Sequence, residues 1–240
     1  MAQGYVMATA EQMSDVCDIF QSISTYKQLL DTNMDFINGL LPCTPYHWGP
    51  IFDYSNEDVQ DLLYLHQRGM LTVNGQPSSL DVRQNYSYNK PYYILQTSYL
   101  DGYMPLSHLE PFEAFMQDLL DKYDYIVYTV NDNNLTKIKD TLPHMQYVVW
   151  VGELEEMKVL WGPPHANTHA EQHVLDEFQS INNMLCKTCH VEVYSRPFDE
   201  KDLPADAETL KHFVANFDKR SVTDLLKEFY KSHPDLPSSI

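Results

Sequence analysis

Between Ser55 and Ser195 the sequence switches repeatedly between a helical and a strand period, and this alternation narrows the possible folds most. Ser55 with Asp58 three residues later is a capping-box-like helix start, and Val59, Leu62, Leu63 and Leu65–His66 form the inner face behind it. Gly69 is placed to end that helix. "MLTV" reads as a strand, "NGQPSS" as the turn after it and "PYYILQTSYL" as a second strand. Ser107 and Glu110 make another capping box before a helix carrying Phe112, Phe115, Met116, Leu119 and Leu120. "YIVYTV" and "QYVVWVGEL" are strands on either side of a short helix over 133–142. A helix over 168–185 then precedes the alternating strand "HVEVYS". Such a succession predicts an α/β fold, with mixed sheets flanked by helices.

Helical segments also flank this region. Residues 11–41 place Met13, Val16, Cys17, Phe20 and Ile23 near the helical period, and the proline-rich "PCTPYHWGP" stops what precedes it. After the polar linker "FDEKDLPADAET", two helical pieces run from about 206 to 232, the second capped by Ser221 with Asp224. The expected organisation is an N-terminal helical segment (1–45), an α/β domain (46–200) and a C-terminal helical extension (201–240).

Composition removes several functional classes. With 240 residues, 43% of them apolar, the chain is long enough to bury a substantial core. A formal charge of −18 with only 16 Lys and Arg argues against nucleic-acid binding, which needs a basic surface to neutralise phosphate. No apolar run is long enough to cross a bilayer, and "MAQGYVMATAEQM" lacks the features of a secretory signal. Four cysteines, Cys17, Cys43, Cys186 and Cys189, are too few for a disulfide framework and fit a reducing compartment. The expectation is a soluble cytoplasmic protein with neither membrane nor nucleic-acid partner.

Two strings in the middle are more specific. "IFDYSNEDVQDLLYLHQRGMLTVNGQPSS" (51–79) and "YYILQTSYLDGYM" (92–104), with "YDYIVYTVND" and "YVVWVGELEE" following in order, resemble eukaryotic methylenetetrahydrofolate reductase over about residues 46–200. The similarity is to its C-terminal regulatory half, which binds S-adenosylmethionine or S-adenosylhomocysteine as a feedback signal. The resemblance implies a regulatory-type module without the flavin-binding barrel. It also implies ligand contacts: Thr72 matches a ligand-touching threonine, Ser55 stands in place of another, and Gln76, Pro77, Gln96 and Tyr99 match. Tyr54, Gly75 and Val149 replace a glutamate, a serine and a threonine of the family pattern, so part of its polar set is absent. A Gln-Pro pair after a strand is also good turn chemistry by itself.

"HAEQHVLDEFQSINNMLCKTCH" (169–190) competes with that reading. His169, Glu171, Cys186 and Cys189 are the residue types of a zinc-dependent nucleoside deaminase, with Glu171 as the proton-moving group and the other three on the metal. No proline precedes Cys186, and only 14 residues separate it from Glu171. If 169–185 is one helix, its rise places His169 and Cys186 roughly 25 Å apart, too far to share a zinc. The same distance opposes a four-ligand zinc site that adds His173. "CKTCH" is also the attachment string of c-type haem, but it comes without an export signal. The preferred reading is a helix ending near "CKTC", with Cys186 or Cys189 packed as a small buried side chain.

The leading expectation is therefore a non-catalytic module that senses S-adenosylmethionine or S-adenosylhomocysteine or contacts a protein, as a partner's subunit or a homo-oligomer. The alternatives are the zinc deaminase and a structural subunit of a larger assembly.

Overall fold

In a computed structural model of the chain, the residues described are 7–47, 49, 56–76, 79–85, 90–96, 98–120, 126–130, 146–150, 158–159, 175, 177–194 and 222–240. The helical stretch expected over 11–41 is two helices, α1 (Ala10–Ser22) and α2 (Tyr26–Ile37). The break has a local cause. Ile23 leaves helical geometry, and Thr25 starts the chain again as an N-cap whose side chain accepts from the Gln28 amide while Gln28 reaches back to the cap. Thr9 and Gln12 make the same reciprocal box at the start of α1.

Next come α3 (Asn56–Gln67), the strands β1 (Leu71–Gln76), β2 (Ser79–Asn85), β3 (Lys90–Gln96) and β4 (Tyr99–Pro105), and the helix α4 (Leu106–Leu120). They are followed by β5 (Ile126–Val130), β6 (Gln146–Trp150), β7 (Lys158–Val159), α5 (Gln179–Leu185), β8 (Thr188–Tyr194) and α6 (Val222–Ser232). The α/β class and the helices at both ends are as expected. The sheets, expected to be mixed, are antiparallel in every described pairing.

One sheet has the order β1-β4-β8-β5 and the other β2-β3-β6-β7. "NGQ" continues β1 rather than turning, and "PYYILQTSYL" is two strands in different sheets. Strand period alone cannot show where a run changes sheets. Helix α4 starts at Leu106, so Ser107 lies inside its first turn and is not its cap. The expected helix over 133–142, the caps at Ser55 and Ser221, the linker over 198–209 and the first tail helix lie outside the described residues.

The β1-β4-β8-β5 sheet is packed on both faces. On one side Leu100, Met104, Val191 and Val193 meet Leu62 and Leu65 of α3, Phe112 and Met116 of α4, and Leu226 and Phe229 of α6. On the other, Leu71, Val73 and Tyr103 meet Val16 and Phe20 of α1, Leu29 and Leu30 of α2, and Ile181 and Leu185 of α5. Both sets of terminal helices therefore close a core with the central sheet. No helix among the described residues is long and apolar enough to cross a membrane.

Candidate ligand site on the central ladder

Strand β1 leaves α3 through Gly69, whose φ of 90° is a left-handed conformation that glycine adopts without strain. It then pairs with β4, Leu71 opposite Tyr103 and Thr72 opposite Gly102, before a bulge makes Asn74, not Val73, the partner of Asp101. Gly102 permits this close approach. A Cβ there would collide with the Leu71 carbonyl oxygen and lie 3.0 Å from the Thr72 Cα.

The bulge reverses the alternation of the strand. In a regular strand Thr72 and Gln76, four residues apart, share a face. Here Thr72 opposes Gly102 whereas Gln76 opposes Tyr99, an odd step along β4, so the two positions belong to opposite faces of the ladder. Asn74 is on the side of Tyr99, and the Tyr99 hydroxyl donates to Asn74 Oδ1 at 3.2 Å. Asp101 stands opposite Asn74 and is 1% exposed. Next to Tyr99, Ser98 is also buried, and its Oγ accepts the Val222 amide at 2.9 Å, tying the start of α6 to the start of β4.

Of the residues implied by the resemblance, Gln76 and Tyr99 are thus directly paired, and Thr72 lies in the same strand on the other face. Gln96 ends β3, opposite Ser79 and Gln146 in the second sheet. Ser55 lies outside the described residues. Asn74 and Asp101 were not singled out from sequence, because their pairing depends on the bulge. An amide, a phenol and a carboxylate on one stretch of ladder can hydrogen-bond a polar ligand, and the carboxylate favours a cationic one.

The cysteine pair divides. Cys186 caps the C-terminus of α5 and is exposed, whereas Cys189 lies on β8 opposite Met104 and packs against the core. Burial, with the charge of Glu113 second, pushes the Cys189 thiol above its ordinary pKa. A zinc ligand needs the thiolate, which this environment disfavours. Of the two cysteines it is therefore Cys189, within the strand and not before it, that packs, and Cys186 does not. Helix α5 begins only at Gln179, after Phe178 in extended geometry, so a single helix over 168–185 and the separation drawn from it do not hold. Aromatic and apolar packing of Phe178 against Phe20 holds this break in the core. His169, Glu171 and His173 lie outside the described residues. Among the described residues, no group of three or more His, Cys, Asp or Glu could hold a metal ion.

A second buried polar cluster had no signal in the sequence, because its members are far apart along the chain. His108 of α4 lies between the Tyr230 hydroxyl of α6 (Nδ1, 3.2 Å) and the Pro237 carbonyl (Nε2, 2.7 Å). A carbonyl can only accept, so Nε2–H donates to Pro237 and the neutral ring's Nδ1 accepts from Tyr230. Nearby, the Arg68 guanidinium lies 5.7 Å from the Tyr230 ring centroid. Tyr26 of α2 donates to the Gly69 carbonyl at 3.0 Å and approaches that of Tyr103 at 3.3 Å, joining α2 to the turn before β1 and to β4 at the Leu71–Tyr103 end of their pairing.

No protein-family profile matches the chain. Over 104 residues it is 28% identical to methylenetetrahydrofolate reductase 2 of Saccharomyces cerevisiae, a match that covers 42% of this chain and 17% of the yeast protein. The likeness supports a distant relationship to methylenetetrahydrofolate reductases.

Proposed function

We propose that this region is a non-catalytic regulatory-type module, related to the regulatory half of methylenetetrahydrofolate reductases, that senses S-adenosylmethionine or S-adenosylhomocysteine through the β1–β4 ladder. One observation carries the reading. The two strings that resemble the reductase contain adjacent strands, and the pairing sets Gln76 opposite Tyr99. The local identity to the yeast enzyme supports the same relationship. In this reading Asn74, Tyr99 and Asp101 offer hydrogen bonds and a negative charge to a nucleoside that carries a cationic sulfur. Thr72 would reach such a ligand only from the other face of the ladder. The module would act in the cytoplasm by passing ligand occupancy to a protein partner or a second copy, the terminal helices supplying the contact.

Titration calorimetry of the whole chain with each nucleoside tests this. The expected result is saturable heat from at least one of them. Tyr99→Phe, which deletes the hydroxyl that Asn74 receives, should weaken the binding by about 1 kcal/mol, roughly five- to tenfold. A folded protein that gives no heat with millimolar nucleoside would refute ligand sensing.

A further inference from the structure

We propose that residues 233–238 form a pH-sensitive strap, held over the α3–β1 turn by His108 and Arg68 and released when His108 takes up a proton. The strap is held largely through its main chain. Arg68 donates to the carbonyls of His233 (3.0 Å) and Pro234 (2.9 Å), and His108 to that of Pro237. Leu236 packs against the core beneath it, and the Ser238 backbone lies so close to Gly69 that a Cβ there would be 2.9 Å from the Ser238 carbonyl oxygen.

His108 is the weak point of this latch. It is completely buried, and its ring is already committed as the neutral form between a donor and an acceptor. A proton on Nδ1 would point at the Tyr230 hydroxyl and force that group to stop donating. It would also put a second cation near Arg68. Burial first, and the Arg68 charge as a lesser cause, hold the His108 pKa below its ordinary value, although the bond to Pro237 opposes them. Among the described residues, no carboxylate compensates. On its own helix Glu110 and Glu113 are exposed, Asp235 of the strap is exposed, and on α6 Lys227 is paired with Asp61. His233 gives its Nδ1 to the Phe229 carbonyl and meets Phe115 edge-on and Phe229 at a tilt, while Tyr26 and Tyr64 act on Tyr230.

The charged ring can regain water by lifting either of its two covers. Tyr230 is anchored in the core, whereas Pro234, Asp235, Pro237 and Ser238 are exposed, so the strap yields first. Because its other side rests on Gly69, its release frees the turn that leads into Thr72.

The sign follows from the lowered pKa. The strap is fully latched above the free-histidine value of about 6.5, and its protection falls as pH drops below that, by up to about tenfold per unit. Hydrogen exchange of the whole protein, corrected for intrinsic rates, at about pH 7.5 and about pH 5 reads this directly. The segment over 231–240 should lose protection while β4 and β8 keep theirs. His108→Gln retains an N–H for Pro237 without a titrating ring and should abolish the acid loss. As a measure that needs no variant, the His108 ring and the Leu236 methyls should titrate together by NMR in the native protein. Equal strap protection at both pH values, acid loss that persists in His108→Gln, or a Leu236 transition away from the His108 midpoint would each overturn the proposal.

Discussion

Gly102 and His66 show how single residues set the tolerance of this core. Gly102 is needed for space and not for an unusual φ, since a Cβ there would strike the backbone of β1. Backbone on a packed strand cannot move aside as a flexible side chain can. Gly102→Ala should therefore destabilise by about 1–3 kcal/mol and shift the bulge, as read by urea denaturation and the amide shifts of Leu71–Asn74. His66 is buried with its Nδ1 given to the Leu62 carbonyl, and among the described residues its Nε2 has no hydrogen-bond partner. Burial lowers its pKa to about 4, so the neutral ring is the folded form. This contribution to stability is complete above about pH 6.5 and declines as pH falls toward 4, a loss of roughly 3 kcal/mol in all. Because Leu62 O is the i−4 carbonyl of the same helix, His66→Leu should cost little at neutral pH. It should also flatten the acid side of a stability profile measured by denaturant midpoints.

At the scale of elements, the N-terminal helices are defined by their starts. Both α1 and α2 begin with a Thr-x-x-Gln reciprocal cap, and Thr25→Ala should cost about 0.5–2 kcal/mol by thermal melting. The effect should exceed loss of the i,i+4 pair Lys27–Asp31 on the same helix, whose partners are both exposed. The amphipathic α6 docks by its apolar stripe: Val222, Leu225, Leu226, Phe229 and Tyr230 are all buried. Phe229 meets Phe112, Phe115 and Tyr230 ring to ring, so Phe229→Ala should cost about 3–5 kcal/mol and loosen α6 and the strap together. A reader of the sequence could find this helix and its apolar side but not its seat. The Lys227–Asp61 ion pair and the Ser98–Val222 bond, which set that seat, join residues well over a hundred positions apart.

For the molecule as a whole, the central sheet is closed by helices that come from both ends of the chain. Phe20 of α1 and Phe229 of α6 are fully buried on opposite sides of it. Among the described residues, the segments expected at either end thus complete the same cores as the sheet, and removing α6 should expose Leu100, Met104 and Val193. Deletion of 222–240 is expected to yield a chain that binds hydrophobic dyes and loses cooperative unfolding, checked by calorimetry.

The alternation of periods was enough to determine the α/β class, most of the strands and the helices at the ends, because period reflects which face of an element meets a core. The resemblance to the reductase family, not the periodicity, singled out Gln76 and Tyr99, which the strand pairing makes neighbours. Only the tertiary structure decided that Thr72 belongs to the opposite face from them, that Asn74 and Asp101 join Tyr99, and that His108 latches the far end of the chain. The reason is physical. Local sequence encodes the pitch of an element, whereas a bulge made possible by a glycine on a neighbouring strand, or a bond across more than a hundred residues, exists only after the chain has folded.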